Sequence, residues 1–173
     1  MIQITGRIGF DPPSKTKKQK EQDEWKRLAM VHIHSDDIIK YYSWFFEKRY
    51  NIRLNPPMRG AHITFISDSL RDLTKDFTLD RDKTELLWDK VKNKWDGKEV
   101  TFRLDLDVRS NGRTWWLNVV EEDRAVLQEV RNELGLGRPY FGMHMSIGYA
   151  NPKDLDHSKY VLKSIIEHGR NFE

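Results

Sequence analysis

One four-residue pattern occurs twice in this sequence of 173 residues, once in each half of the chain. The first copy is His62-Ile63-Thr64-Phe65 and the second is His144-Met145-Ser146-Ile147, so each reads histidine, apolar, hydroxyl, apolar. Such alternation is typical of a β-strand whose two faces have different surroundings. The pattern predicts that each histidine shares a strand face with its hydroxyl residue, while the apolar residues point into a core.

Two imidazoles that line one groove are suited to acid–base chemistry near neutral pH, because one can accept a proton while the other donates one. A hydroxyl beside each histidine can hydrogen-bond to a bound oxyanion. Phosphodiester cleavage needs a base for the attacking oxygen, an acid for the leaving oxygen and donors for the non-bridging oxygens. We therefore predict that four residues are catalytic without a metal ion or other cofactor: His62, Thr64, His144 and Ser146.

A hairpin signal lies between the two motifs. Residues 100–109 alternate strictly between apolar and polar, and Asn111-Gly112 follows them. Asn-Gly is the preferred two-residue loop of a type I′ turn, which requires positive φ at both residues. This loop predicts that Arg109 pairs with Thr114, and that Trp115 lies on the core face of the returning strand.

Trp116 would then share the polar face of the hairpin with Arg109, because directly paired residues point the same way. An indole on a polar face can stack on a nucleobase, and a guanidinium can contact a phosphate. We predict that Trp116 and Arg109 bind substrate. The alternatives are that Trp116 packs on a loop or a second subunit, and that Arg109 pairs with a carboxylate across the strands.

His32 and His34 lie on one face of another predicted strand, at residues 28–34. Such a pair can ligate zinc, which gives a metal-dependent hydrolase as one alternative. The chain has no cysteine, and no carboxylate or third histidine stands at a metal-binding spacing from this pair. The other interpretations are that His32 faces the same groove as the two motifs, or that it is a hydrogen-bonded residue of a packed strand.

The remaining hydropathy pattern predicts strands and helices along the whole chain without a linker. Strands are expected at 2–10, 28–34, 61–66, 100–109, 115–120 and 144–147, and helices near 38–50, 87–95, 126–134 and 161–166. Residues 14–24 read as a lysine-rich loop. We predict one α+β domain over residues 1–173 with a largely antiparallel sheet.

The composition narrows the function classes. Lys and Arg number 30 and Asp and Glu number 27, so the net charge of +3 permits an anionic ligand without requiring nucleic acid. The absence of cysteine excludes disulfides, iron–sulfur clusters and a cysteine nucleophile. Apolar runs are too short to span a bilayer, and the N-terminal residues show no signal-peptide pattern. We expect a cytoplasmic protein that does not bind membranes.

The paired histidine motif resembles that of the 2H phosphoesterase superfamily. This superfamily includes LigT-type RNA 2′,3′-cyclic phosphodiesterases, 2′-5′ oligoadenylate phosphodiesterases and phage enzymes that cleave cyclic-nucleotide immune signals. The resemblance implies a bilobal α+β fold, in which two mainly antiparallel sheets face a central groove, helices lie outside and each lobe carries one motif. It also implies that one histidine is the base and the other the acid, with Thr64 and Ser146 holding the phosphate.

The sequence thus predicts a metal-independent phosphodiesterase that hydrolyses a 2′,3′-cyclic phosphate, a cyclic oligonucleotide signal or a short oligoribonucleotide. The main alternative is a non-catalytic module that sequesters a nucleotide or an RNA end in the same groove. In both cases the partner is a nucleotide or short RNA, and the oligomeric state stays open.

Overall fold

The computed structural model describes residues 1–13, 27–67, 81–139 and 142–151. The lysine-rich loop at 14–24 and the helix expected near 161–166 lie outside these residues. The described strands are β1 (Ile2–Phe10), β2 (Leu28–Ile33), β3 (His62–Ser67), β4 (Glu99–Leu104), β5 (Arg109–Ser110), β6 (Thr114–Asn118) and β7 (His144–Tyr149). The described helices are α1 (Asp37–Tyr50), α2 (Arg81–Trp95) and α3 (Ala125–Glu133), the last preceded by a 3₁₀ turn at Glu121–Arg124.

The strands form one antiparallel seven-stranded sheet in the order β4-β1-β2-β3-β7-β6-β5. Its N-terminal half (β4-β1-β2-β3) meets its C-terminal half (β7-β6-β5) at one ladder pair, Ile63 with Met145. An isolated bridge between Leu104 and Val119 also connects the two halves, so the sheet curls into a half-barrel. The antiparallel α+β class is confirmed. The expected pair of separate facing sheets is not confirmed, because β3 pairs with β7.

The three helices pack on one face of the sheet, which carries the apolar residues of the alternating strands. Phe10 of β1 makes edge-to-face contacts with Phe65 of β3 and with Trp88 of α2, at centroid distances of 6.5 and 5.2 Å. The ring centroids of Phe46 of α1 and Trp115 of β6 are 6.1 Å apart. Burying a large side chain of this kind stabilises the fold by roughly 1.5–3 kcal/mol. This packing fixes which face of each strand carries the polar residues.

The predicted continuous strand at 100–109 is divided in the structure. β4 ends at Leu104 and lies at one edge of the sheet, whereas β5 begins at Arg109 and lies at the other edge. Asp105 begins the connection, and its Oδ1 accepts a hydrogen bond of 3.1 Å from the backbone N–H of Asp107. Leu106, which the alternation placed in the core, is 44% exposed. The end of β4 instead contacts the chain at the end of β6, where the backbone N–H of Asp105 donates a 2.9 Å hydrogen bond to the carbonyl oxygen of Asn118.

The predicted hairpin register is also wrong. Arg109 pairs with Trp116 instead of with Thr114, a shift of two residues. Asn111 does not adopt the positive φ of a type I′ turn. Its side-chain oxygen instead accepts hydrogen bonds from the backbone N–H groups of Arg113 and Thr114, at 3.0 and 2.9 Å, which makes a longer loop.

A shift of two residues preserves the faces of both strands. Trp116 and Arg109 therefore still share a face, and Trp115 is fully buried in the core as predicted. None of the described helices has the length and apolar character needed to cross a membrane.

Candidate active site

The two motif strands are neighbours in the sheet and pair through their central apolar residues. Ile63 and Met145 are opposite each other and fully buried. The residues on either side of them point to the other face, since side chains alternate along a strand. This brings together the four predicted catalytic residues, all half-buried: His62 and Thr64 on β3, and His144 and Ser146 on β7.

The antiparallel register relates the two motifs by a local two-fold axis through the central pair. Extending this register by one residue on each strand places His62 across from Ser146, and His144 across from Thr64. The two histidines are then diagonal neighbours, with Cα atoms about 7–8 Å apart in standard sheet geometry. An anion bound over this diagonal would meet one imidazole and one hydroxyl from each strand.

Each imidazole is held in the same way by a backbone carbonyl two residues earlier. The ring nitrogen Nδ1 of His62 lies 2.8 Å from the carbonyl oxygen of Gly60, and that of His144 lies 2.7 Å from the carbonyl oxygen of Gly142. A carbonyl oxygen only accepts, so Nδ1 carries the hydrogen in both rings. Nε2 is then the nitrogen that can take up and release a proton.

The repeated pattern is therefore longer than the one the sequence analysis used. Both copies read Gly-x-His-x-Ser/Thr, beginning at Gly60 and at Gly142. Gly60 has a φ of 71°, a left-handed conformation that glycine adopts without strain. The next N–H, that of Ala61, donates a 2.6 Å hydrogen bond to the carboxylate of Asp36, which precedes α1. The two glycines were present as a signal, and extending the motif by two residues would have found them.

The electrostatic surroundings of the two histidines differ. Burial lowers the pKa of both rings below the ordinary histidine value, and the glycine carbonyls partly oppose that shift. At His62 the pKa is lowered further by the positive charges of His32, Arg59 and His144. The repulsion between the two motif histidines is mutual, but His32 and Arg59 act on His62 alone, so the two rings are not electrostatically equivalent.

Trp116 and Arg109 lie beside the second motif. Trp116 pairs with Ser146 on one side and with Arg109 on the other, which places the three in a row across the sheet. The indole ring lies 5.7 Å from the imidazole of His144 at an interplanar angle of 54°. Its N–H donates a 3.2 Å hydrogen bond to Asn118, the cross-strand partner of His144. Asn118 is a neighbour of the site that the sequence analysis did not assign.

His32 extends the site toward β1. It pairs with His62 on one side and with Arg7 on the other. Its ring lies over Gly9, where an added Cβ would be 3.0 Å from the ring carbon Cδ2. His34 is exposed beyond the end of β2. Among the described residues, no three histidine, aspartate or glutamate side chains are grouped so as to hold a metal ion.

No protein-family model, curated protein sequence or solved structure matches this chain.

Proposed function

We propose that this protein is a metal-independent phosphodiesterase of the 2H type, which hydrolyses a nucleotide phosphodiester in the cytoplasm. The observation that carries the proposal is the pair of matched imidazoles on adjacent strands. Each ring has its Nδ1 hydrogen-bonded to a glycine carbonyl, and each has a hydroxyl residue on the same strand face. This is the donor and acceptor set that in-line displacement at phosphorus needs.

In the proposed reaction one neutral imidazole removes a proton from water, or from a ribose 2′-hydroxyl, as that oxygen attacks phosphorus. The other imidazole, in its protonated form, gives its proton to the leaving oxygen as the P–O bond breaks. The hydroxyls of Thr64 and Ser146 donate hydrogen bonds to the non-bridging oxygens, where negative charge increases. Overall one proton moves from the attacking to the leaving oxygen, and no redox partner is involved.

The two roles follow from the different surroundings of the rings. Cationic neighbours disfavour a second positive charge on His62, so we assign it as the base. The electron-rich face of an indole favours a nearby cation, and the ring of Trp116 lies beside His144. We therefore assign His144 as the acid that begins the reaction protonated.

The substrate class follows from the residues around the phosphate site. We propose that Trp116 stacks on a nucleobase and that Arg109 binds a phosphate oxygen. In this interpretation each half of the sheet corresponds to one lobe of the 2H fold, since each half contributes one motif. A nucleotide phosphodiester would bind across the junction between β3 and β7.

Binding and turnover, measured separately, distinguish an enzyme from a sequestering module. The test compares wild type with His62→Asn on a 2′,3′-cyclic-phosphate-ended dinucleotide, with affinity from calorimetry and product from chromatography. An enzyme loses turnover in the variant by about 10²–10⁴-fold while affinity changes little. Tight binding by wild type without product would refute the enzyme and favour the sequestering module.

A further inference from the structure

A cavity lies next to His62 on the side away from the second motif. It has a volume of about 330 Å³ and lies at the end of β1, between the segment Gly9–Pro13, His32 and Arg59. His32 is both a wall of this cavity and the cross-strand partner of His62. Adjacent strands are about 4.8 Å apart, so the cavity begins about 5–10 Å from His62.

The cavity contains an arginine, Arg59, that none of the acidic side chains in the described ranges neutralises. Arg59 donates a 2.8 Å hydrogen bond through Nη1 to the carbonyl oxygen of Pro13. Within the described part of the chain, no carboxylate forms an ion pair with it. A guanidinium has five N–H donors, so most of its donors are not used by this contact. Its positive charge lowers the pKa of His62, so the guanidinium lies near the two motif histidines.

The carboxylate that lines the cavity does not cancel this charge. Asp11 accepts hydrogen bonds at 3.0 Å from both Lys92 and the indole N–H of Trp88, and Arg27 lies 3.5 Å away. Asp11 thus pairs with Lys92 and with Arg27, and Arg27 also pairs with Glu85. The positive charge of Arg59 therefore remains to attract an anion.

The floor of the cavity is open because Gly9 has no side chain. A Cβ at this position would come within 3.0 and 3.1 Å of the ring atoms Cδ2 and Nε2 of His32. Either the histidine ring would have to move, or the space above β1 would be reduced. Glycine therefore keeps room for both the imidazole and a bound group.

We propose that this cavity binds the phosphodiester that neighbours the scissile one, with Arg59 as its main donor. The proposal rests on the proposed function, and it makes the substrate an oligonucleotide, linear or cyclic, that has at least two phosphates. A mononucleoside 2′,3′-cyclic phosphate would fill only the site between the two histidine motifs. Pro12 and Pro13 supply an apolar wall for the connecting ribose.

The test uses two substrates that differ by one nucleotide: adenosine 2′,3′-cyclic phosphate and the dinucleotide ApA with a 2′,3′-cyclic phosphate end. For wild type we expect kcat/KM to favour the dinucleotide by about tenfold or more. Arg59→Gln should bring that ratio close to one. Arg53→Gln is the matched control, because Arg53 is exposed near Glu47, and it should leave the ratio unchanged.

The ratio of the two kcat/KM values distinguishes a phosphate contact from an electrostatic effect on His62. An electrostatic effect on His62 would change kcat/KM for both substrates equally and leave the ratio unchanged. Equal losses on both substrates, or a wild-type ratio of one, would overturn the proposed subsite. If wild type also cleaves a cyclic dinucleotide, and Arg59→Gln cleaves it more slowly, the same subsite also binds the second phosphate of a cyclic substrate.

Failure of the proposed function is recognised separately. If wild type turns over neither substrate, the binding affinities of wild type and Arg59→Gln, measured by calorimetry, test the proposed subsite without any turnover. Weaker dinucleotide binding by Arg59→Gln, with mononucleotide binding unchanged, supports it. Equal affinity of wild type and variant for the dinucleotide overturns it.

Discussion

Asparagine in place of either motif histidine separates the catalytic role of the ring from its structural role. The amide nitrogen of asparagine occupies nearly the place of Nδ1, so the hydrogen bond to the glycine carbonyl can be kept. The reacting nitrogen Nε2 is lost. His62→Asn and His144→Asn are therefore expected to fold like wild type and to lose turnover.

The expected magnitudes follow from the geometry. Removing a general acid or base reduces kcat/KM by about 10²–10⁴-fold, or about 2.7–5.4 kcal/mol at 1.36 kcal/mol per tenfold. Replacing His144 by alanine also removes its 2.7 Å hydrogen bond to Gly142, which should lower the free energy of unfolding by about 0.5–1.5 kcal/mol. The asparagine variant should lose less stability than the alanine variant.

The double variant tests whether the two rings act in one step. Independent contributions would multiply to a loss of about 10⁴–10⁸-fold, whereas groups that act as a unit are far from additive. We expect the double asparagine variant to be no more than about tenfold slower than the slower single variant.

The assays are kcat/KM on the cyclic-phosphate-ended dinucleotide and urea denaturation of each variant. Turnover that falls only in proportion to stability would refute the catalytic roles. So would an asparagine variant that keeps more than about a tenth of wild-type kcat/KM, because an acid or base contributes at least 10²-fold.

Three further predictions concern the surroundings of the histidines. The pH profile of kcat/KM should be bell-shaped, because activity rises as the base loses its proton and falls as the acid loses its proton. Its maximum should lie below about pH 6.5, since burial lowers the pKa of both rings. A falling limb centred above pH 7 would contradict this. Trp116→Leu should raise KM by about 5–160-fold, because stacking on a base contributes about 1–3 kcal/mol. Trp116→Phe should raise KM less, and equal KM values for the two variants would exclude stacking. Gly9→Ala should displace His32 and lower kcat/KM on the dinucleotide, with a loss of about 1 kcal/mol in unfolding free energy; wild-type kinetics would show that the ring position does not matter.

The parts of the fold that depend on local pattern could be read from the sequence. The alternation in β1, β2 and the two motif strands predicted their positions to within a residue or two. It also predicted which residues face the core, as the full burial of Ile63, Met145 and Trp115 confirms. Local alternation is decisive here because one face of each strand packs against helices.

Features set by distant contacts could not be read in this way. The end of β4 at Leu104 depends on its pairing with β1 and on the bridge to Val119. The turn register depends on whether Asn111 contributes its backbone conformation or its side-chain oxygen, and the dipeptide allows both. The pairing of β3 with β7 joins segments that are far apart in the chain.

The candidate site was likewise only partly predictable. The repeated motif identified the four central residues, because two copies of one polar pattern are visible without a structure. The positions of Arg59 and Asn118 beside the site could not be predicted. Arg59 comes near His62 through the path of the chain before β3, and Asn118 lies at the site because it pairs with His144. His32 was seen as a candidate, but its position beside His62 follows only from the strand order.

The most direct test of paired-histidine catalysis is a substrate panel assayed in EDTA with wild type and the His62→Asn, His144→Asn double variant. The panel contains 2′,3′-cyclic mononucleotides, a cyclic-phosphate-ended RNA, 2′-5′ oligoadenylate and several cyclic di- and trinucleotides. Paired-histidine catalysis predicts cleavage of at least one member by wild type, unaffected by the chelator and reduced at least about 10²-fold in the double variant. Cleavage that disappears in EDTA, or that the double variant keeps at more than about a tenth of the wild-type rate, would contradict paired-histidine catalysis.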